Sequence, residues 1–173
     1  MNTVVLGTAH TKDVLGKGSP DGRIKEYKYS RELCKTIKPI LEDLGYKTFI
    51  DVEDDSISDE LKTRCKIVNE LHKKYKNCIY VSIHLNAAGS DDKWHNGTGW
   101  EIYTSPGKTK SDRLATCLYE SAKKNLPNVK FRTDFSDGDP DKEAEFYVLK
   151  HTNCPAVLTE NFFMDSKKDI DYL

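Results

Sequence analysis

Four side chains in this sequence combine a metal-binding or proton-transferring head group with a position at the end of an expected strand or the start of an expected helix: His10, Glu26, His84 and Glu160. Two imidazoles and one carboxylate make a donor set for a catalytic zinc ion, because three protein ligands leave a coordination position for water. A second carboxylate beside such an ion can take the proton of that water. The four lie 16, 58 and 76 residues apart, so no local motif such as HExxH holds them. Spacing alone does not say which carboxylate binds and which accepts a proton. Each residue also has a plain structural reading. A histidine at a strand end can simply be packed and hydrogen-bonded, and Glu26 at a helix start is favoured by the helix dipole. Glu160 is harder to explain that way, because a carboxylate beside a buried strand is costly unless it is paired, metal-bound or in a cleft.

The elements that would bring them together can be read from hydrophobic period and turn residues. Residues 3–8 form a continuous apolar run, as in a strand buried on both faces, and His10 follows it. A glycine-rich loop over 9–25 leads to a helix over 26–44, with Leu33, Ile37, Ile40 or Leu41, and Leu44 inward and Gly45 at its end. Residues 47–52 are a second strand. Ser58, Asp59 and Glu60 mark a helix start, followed by a stripe of Leu61, Cys65, Val68, His72 and Tyr75. The strand over 78–84 ends at His84. The strand over 99–104 precedes a helix over 111–125 with Leu114, Leu118, Ser121 and Ala122 inward. A short strand is expected at 129–132, a last core strand at 155–159 ending before Glu160, and a helix that stops after two turns at 166–173. Strands and helices alternate, which predicts an α/β fold: one three-layer αβα domain around a mostly parallel twisted sheet of about five or six strands. Ligands of such sheets bind beyond the carboxyl ends of the strands, where these four residues fall. The polar loops 86–98 and 127–145 are expected to line an open groove.

Composition narrows the function classes. The chain has 173 residues, of which 37% are hydrophobic and 32% charged, so it is polar yet able to build a core. With 27 basic and 28 acidic residues the net charge is −1, which gives no bulk field for nucleic acid. No apolar run is long enough to insert into a membrane. The five cysteines, Cys34, Cys65, Cys78, Cys117 and Cys154, contain no CxxC pair and read as reduced, buried small hydrophobes. The acidic stretch 134–141 fails the EF-hand register and reads as a solvated turn. His72 reads as a packing residue, and His95 and His151 lie in loops without an assigned role.

These residues and their surroundings carry a resemblance. Val4-Val5-Leu6-Gly7-Thr8-Ala9-His10 sits where the zinc-dependent N-acetylmuramoyl-L-alanine amidases of the type 3 amidase family have a strand ending in Gly-His-Gly. Glu26 matches the glutamate that starts their first helix, and Leu41-Glu42-Asp43-Leu44-Gly45-Tyr46-Lys47-Thr48 the helix end and next strand. Leu61-Lys62-Thr63-Arg64 and Asn69 are similar to the helix before the central strand. Val81-Ser82-Ile83-His84-Leu85-Asn86-Ala87 resembles the Ser-Ile-His-Ala-Asn-Ala signature, which is the most specific match. Gly99-Trp100-Glu101-Ile102-Tyr103, Phe146-Tyr147-Val148-Leu149 and the run from Pro155 to Met164 resemble the closing segments. Ala9 and Thr11 depart from the family by replacing the glycines that flank the first histidine.

The resemblance covers nearly the whole chain. It implies that residues 1–173 are an amidase catalytic domain, with the last helix cut short relative to the family. His10, Glu26 and His84 would bind Zn2+ and Glu160 would be the general base. The substrate would be peptidoglycan, cut at the amide between N-acetylmuramic acid and L-alanine of the stem peptide. A monomer is expected, with no nucleic-acid partner. Two rivals stand beside it. One is a zinc peptidase of wall peptides, which would need a basic residue such as Arg132 or Arg113 for a terminal carboxylate. The other is a zinc-bound wall-binding module that has lost catalysis, against which Glu160 argues. The N-terminus shows no signal peptide. The expected history is therefore synthesis in a bacterial cytoplasm and action on the wall, either released by phage or exported from a longer precursor. The odd cysteine count leans to the first and the abrupt end at Leu173 to the second.

Overall fold

The computed structural model describes residues 2–56 and 60–173. Ser58 and Asp59, read above as part of a helix start, lie outside the described residues. The elements run β1 (Thr3–Thr8), α1 (Glu26–Asp43), β2 (Lys47–Ile50), α2 (Leu61–Tyr75), β3 (Cys78–Asn86), β4 (Trp100–Thr104), α3 (Lys110–Asn125), β5 (Lys142–Glu143), α4 (Tyr147–Lys150), β6 (Ala156–Phe163) and α5 (Lys167–Tyr172). The six strands form one sheet in the order β2-β1-β3-β6-β4-β5. Neighbours are parallel except β4, which runs antiparallel to β6. This is the expected α/β domain, and the sheet is mostly parallel as read.

Alternation along the central strands sends side chains to two faces, and each face is covered by helices. Val5, Tyr80, Ala156 and Leu158 pack with Cys65 and Val68 of α2 and with Val148 and Leu149 of α4. On the opposite face Val4, Leu6 and Ile83 pack with Cys34, Leu33, Ile37 and Leu41 of α1. Trp100, Ile102 and Val157 pack there with Leu114, Leu118 and Ala122 of α3. Leu85, Met164 and Ile170 form a smaller cluster under α5. Among the described residues, no helix is long and apolar enough to cross a membrane.

Several boundaries differ from the sequence reading. Leu41 turns inward, whereas Ile40 and Leu44 are exposed, because the helix stops at Asp43 and Gly45 turns the chain away at φ 85°. β3 and β6 run on past His84 and Glu160, so neither residue closes its strand. The expected strand at 129–132 is reduced to a single bridge between Phe131 and Trp100. The short helix α4 carried no periodic signal. All five cysteines are free, but Cys117 is exposed, on the outer side of α3.

The loop after β3 is folded back by two buried carboxylates near α5. Asp165 accepts from the amides of Ala88 and Gly89, at 2.8 Å each. Asp169 accepts from the amides of Gly99 and Phe163, at 2.9 Å each. Gly99 sits at φ 115°, and a Cβ there would lie 2.2 Å from the carbonyl oxygen of Lys130. Only glycine fits that approach.

Candidate metal centre

Three elements converge at the carboxyl edge of the sheet. β1 ends at Thr8, and the chain turns through Ala9 into His10, which adopts φ 46°. Glu26 is the first residue of α1, anchored by its own amide, which donates to the carbonyl of Lys17 at 3.0 Å. His84 lies in β3, in register with Thr159-Glu160 of β6. His10, Glu26 and His84 each offer a ligand atom, and the three atoms lie within 4.8 Å of one another.

The carboxylate sits between the two rings. Glu26 Oε1 lies 3.1 Å from His84 Nδ1 and accepts the Leu85 amide at 3.1 Å. Glu26 Oε2 lies 3.5 Å from His10 Nε2 and has no hydrogen-bond donor although it is buried. The rings meet edge to face, with centroids 5.6 Å apart. His84 Nε2 lies 3.1 Å from Ser82 Oγ, which orients the ring.

Burial alone would push Glu26 upward, but the hydrogen bond and charge of His84, the charge of His10 and the Leu85 amide hold its carboxyl below the usual range. His10 is lowered, first by burial and then by the neighbouring positive groups, which together outweigh Glu26. Both imidazoles therefore meet an ionised buried carboxylate. Two nitrogens at the wall of a cleft and one oxygen of a buried carboxylate, whose other oxygen is left undonated, fit the donor set of a divalent zinc ion.

Glu160 lies beside this cluster, paired across strands with His84 and with Glu101. Its Oε2 is buried and has no donor. Burial raises its carboxyl well above the usual range, and the charges of Glu26 and Glu101 add to the rise, against a smaller opposing effect of Lys17. All four sequence-predicted residues are thus brought together. His10, His84 and Glu160 line an open cleft of about 250 Å³, with Lys17, Leu61, Phe146 and Val148 on its walls. Neither polar loop, 86–98 nor 127–145, contributes to it. The first of them, fastened by Asp165, lines a neighbouring cavity that shares Lys17 with the cleft.

Sequence reasoning missed the residues that hold the site in place. Ser30 follows Glu26 by one helical turn and is fully buried. Its hydroxyl accepts the Ala9 amide at 2.9 Å and donates to the Ile83 carbonyl at 2.6 Å, so it ties both histidine-bearing segments to α1. A polar residue on the apolar stripe, four positions from Glu26, was the available signal. Beneath the cleft, Asp51 accepts from Thr8 and Val52 amides, from Tyr80 Oη at 2.9 Å and from Arg64 Nη1 at 3.0 Å. Glu101 is buried in β4 and accepts from Asn86 Nδ2, Tyr103 Oη, Arg132 Nε and Lys142 Nζ. An acidic residue inside an otherwise apolar strand marked Glu101 as engaged but not with what.

Comparison with known proteins gives the family and the fold. The family model described as N-acetylmuramoyl-L-alanine amidase matches residues 4–173. The N-acetylmuramoyl-L-alanine amidase CwlM of Bacillus licheniformis is 36% identical over 95 residues, covering 54% of this chain and 32% of that protein. The endolysin of Bacillus phage SPP1 is 30% identical over 160 residues, covering 88% of this chain and 52% of that protein. The chain therefore spans between a third and about half of these relatives' lengths. The crystal structure of an N-acetylmuramoyl-L-alanine amidase from Clostridium difficile 630 superposes with a TM-score of 0.80 at 23% identity, covering 98% of this chain and 84% of that one, and so shares the fold.

Proposed function

The chain belongs to the N-acetylmuramoyl-L-alanine amidase family, and from that premise we propose that it is a zinc-dependent peptidoglycan amidase. In this reading residues 1–173 are a catalytic domain that cuts the amide between N-acetylmuramic acid and L-alanine of the stem peptide. The observation that carries it is the convergence of His10, Glu26 and His84, with Glu160 lining the same cleft as both histidines. One chain holds the whole constellation, so a monomer suffices, and its place of action is the cell wall.

His10, Glu26 and His84 would hold the ion. When bound, zinc supplies the positive charge that polarises an amide carbonyl and makes water acidic enough to react near neutral pH. Glu160 takes one proton from the attacking water as its oxygen bonds to the carbonyl carbon. It then gives that proton to the amide nitrogen as the carbon–nitrogen bond breaks, which frees a carboxylic acid and an amine. Ser82 and Leu85 fix the acceptor and donor groups around His84 and Glu26, so these need not reorganise during the reaction.

The peptidase reading finds less support. Arg132 is bonded to Glu101 and Arg113 is exposed on α3, and neither lines the cleft. The test is digestion of purified wall followed by mass spectrometry of the fragments. New L-alanine amino termini with intact stems are expected. Shortened stems would establish the peptidase instead, and binding without release would establish a binding module.

A further inference from the structure

Lys17 is set apart from the other cations around the cleft by having no carboxylate partner. Arg64, on the cleft floor, is bonded to Asp51. Arg132, in the segment after α3, and Lys142, on β5, are both bonded to Glu101 of β4, the strand beside Glu160. Lys17 lines the cleft with His10, His84 and Glu160, yet its ammonium makes no ion pair or hydrogen bond among the described residues. Its main chain is fixed, because its carbonyl accepts the amide of Glu26 at 3.0 Å. The side chain therefore starts from a point held against the first residue of α1. Its charge reaches both His10 and Glu160. A metal bound nearby would repel this cation and the Glu160 carboxyl attracts it, and with no ion pair of its own the ammonium is free to meet an anion that enters the cleft.

The chemistry of the polymer says where that anion is. Glycan strands of N-acetylated sugars are neutral once the muramyl lactyl group is bound in the amide. The carboxylates of peptidoglycan lie on the stem peptides, the first on the acidic residue that follows L-alanine. Resting on the amidase reading above, we propose that Lys17 receives this carboxylate, and that the site thereby selects stems whose second residue carries a free acid rather than a carboxamide. The ammonium would place the stem along the Lys17 side of the cleft, with the L-alanine amine presented to Glu160. The apolar wall of Leu61, Phe146 and Val148 is left for the uncharged part of the substrate.

The test uses two soluble muropeptides that differ only in that group, free acid against carboxamide. Steady-state kinetics of the zinc-loaded protein and of Lys17→Met, Lys17→Gln and Lys17→Arg are compared. Calorimetric binding of both peptides to Glu160→Gln, with and without Lys17→Met, is measured beside them. A charge-assisted hydrogen bond predicts that the original protein has a KM about tenfold lower for the free acid. Lys17→Met and Lys17→Gln should erase that preference with little change in kcat, and Lys17→Arg should keep it. Melting curves report whether each variant is folded. Equal KM and equal binding for the two peptides would overturn the proposal. So would an equal loss of kcat on both, with a displaced pH profile, which would make Lys17 a tuner of Glu160. Should cleavage occur at another bond, the amidase reading fails, while the difference in binding between the two peptides still decides the role of Lys17.

Discussion

Replacing Ser30 by alanine should loosen the candidate centre without touching any of its proposed ligands. The hydroxyl satisfies two buried backbone groups, the Ala9 amide at 2.9 Å and the Ile83 carbonyl at 2.6 Å. Each group belongs to the residue immediately before a histidine, His10 or His84. Alanine leaves both without a partner, and a buried orphan costs about 1–3 kcal/mol. Alanine regains roughly 0.5 kcal/mol of helix propensity. The net loss is about 2.5 kcal/mol, which for a chain of this size lowers Tm by roughly 5–10 °C. Thr36→Ala is the matched control. Thr36 also bonds a backbone carbonyl, that of Glu32 at 2.9 Å, but on the exposed side of the same helix. Its removal should change stability by less than about 0.5 kcal/mol. Since Ser30 fixes the backbone on which both histidines ride, zinc affinity should fall about 10–100-fold. Thermal melts of the metal-free protein and zinc titration against a competing chelator measure the two effects. A Tm within about 1 °C of the original, or an unchanged zinc affinity, would refute the bridging role of Ser30.

Two other perturbations separate roles and test electrostatics. His84→Ala should lose zinc and turnover together, whereas Glu160→Gln should keep zinc and lose turnover. Elemental analysis beside an activity assay decides it, and loss of zinc from Glu160→Gln would make Glu160 a ligand. Asp141 is buried, accepts from Thr104 Oγ1 at 2.6 Å, and is pushed up to about 7 by burial and by Asp139. A carboxyl raised in the folded state stabilises the fold below its unfolded pKa and loses that contribution as pH rises to about 7. Asp141→Asn stays neutral, so its Tm relative to the original protein should be higher at pH 8 than at pH 5. A pH-independent difference would count against the buried acid.

Much of the fold was legible because period and burial coincide. Val4 to Leu6, Ile79 to Ile83 and Ala156 to Leu158 are apolar on both faces, as strands covered by helices on each side must be. That His10, Glu26, His84 and Glu160 come together was legible because the carboxyl edge of such a sheet is where its strand-end and helix-start side chains meet. Less visible were features set by tertiary contact. Cys117 shares the period of its helix but falls on the outer side. The polar loop 86–98 has the composition of a groove wall, yet Asp165, nearly eighty residues later, fastens it elsewhere. Ser30 looks like one serine among others until Ala9 and Ile83 arrive beside it.

The continuation of β6 past Glu160 shows what no pattern in the run from Pro155 to Met164 could show. β6 pairs with β3 as far as Glu160 opposite His84, and pairing resumes at Phe163 opposite Asn86. Two residues, Asn161 and Phe162, therefore face one, Leu85. That extra residue is a bulge, and Phe162 takes it up at φ 79°. In an unbroken strand residue 162 would share the face of residue 160, and a phenylalanine there would close over the carboxylate. With the bulge, the Phe162 ring packs instead against Tyr172 of α5, at 5.0 Å between centroids, and it does not line the cleft. A non-glycine residue in that conformation costs about 1–3 kcal/mol. Asn161 offsets part of it by donating to the His84 carbonyl at 3.1 Å, and Asp169 by holding the Phe163 amide at 2.9 Å. The strain keeps the space beside Glu160 open, and Asn161, which helps to stabilise it, bonds directly to the strand that carries His84.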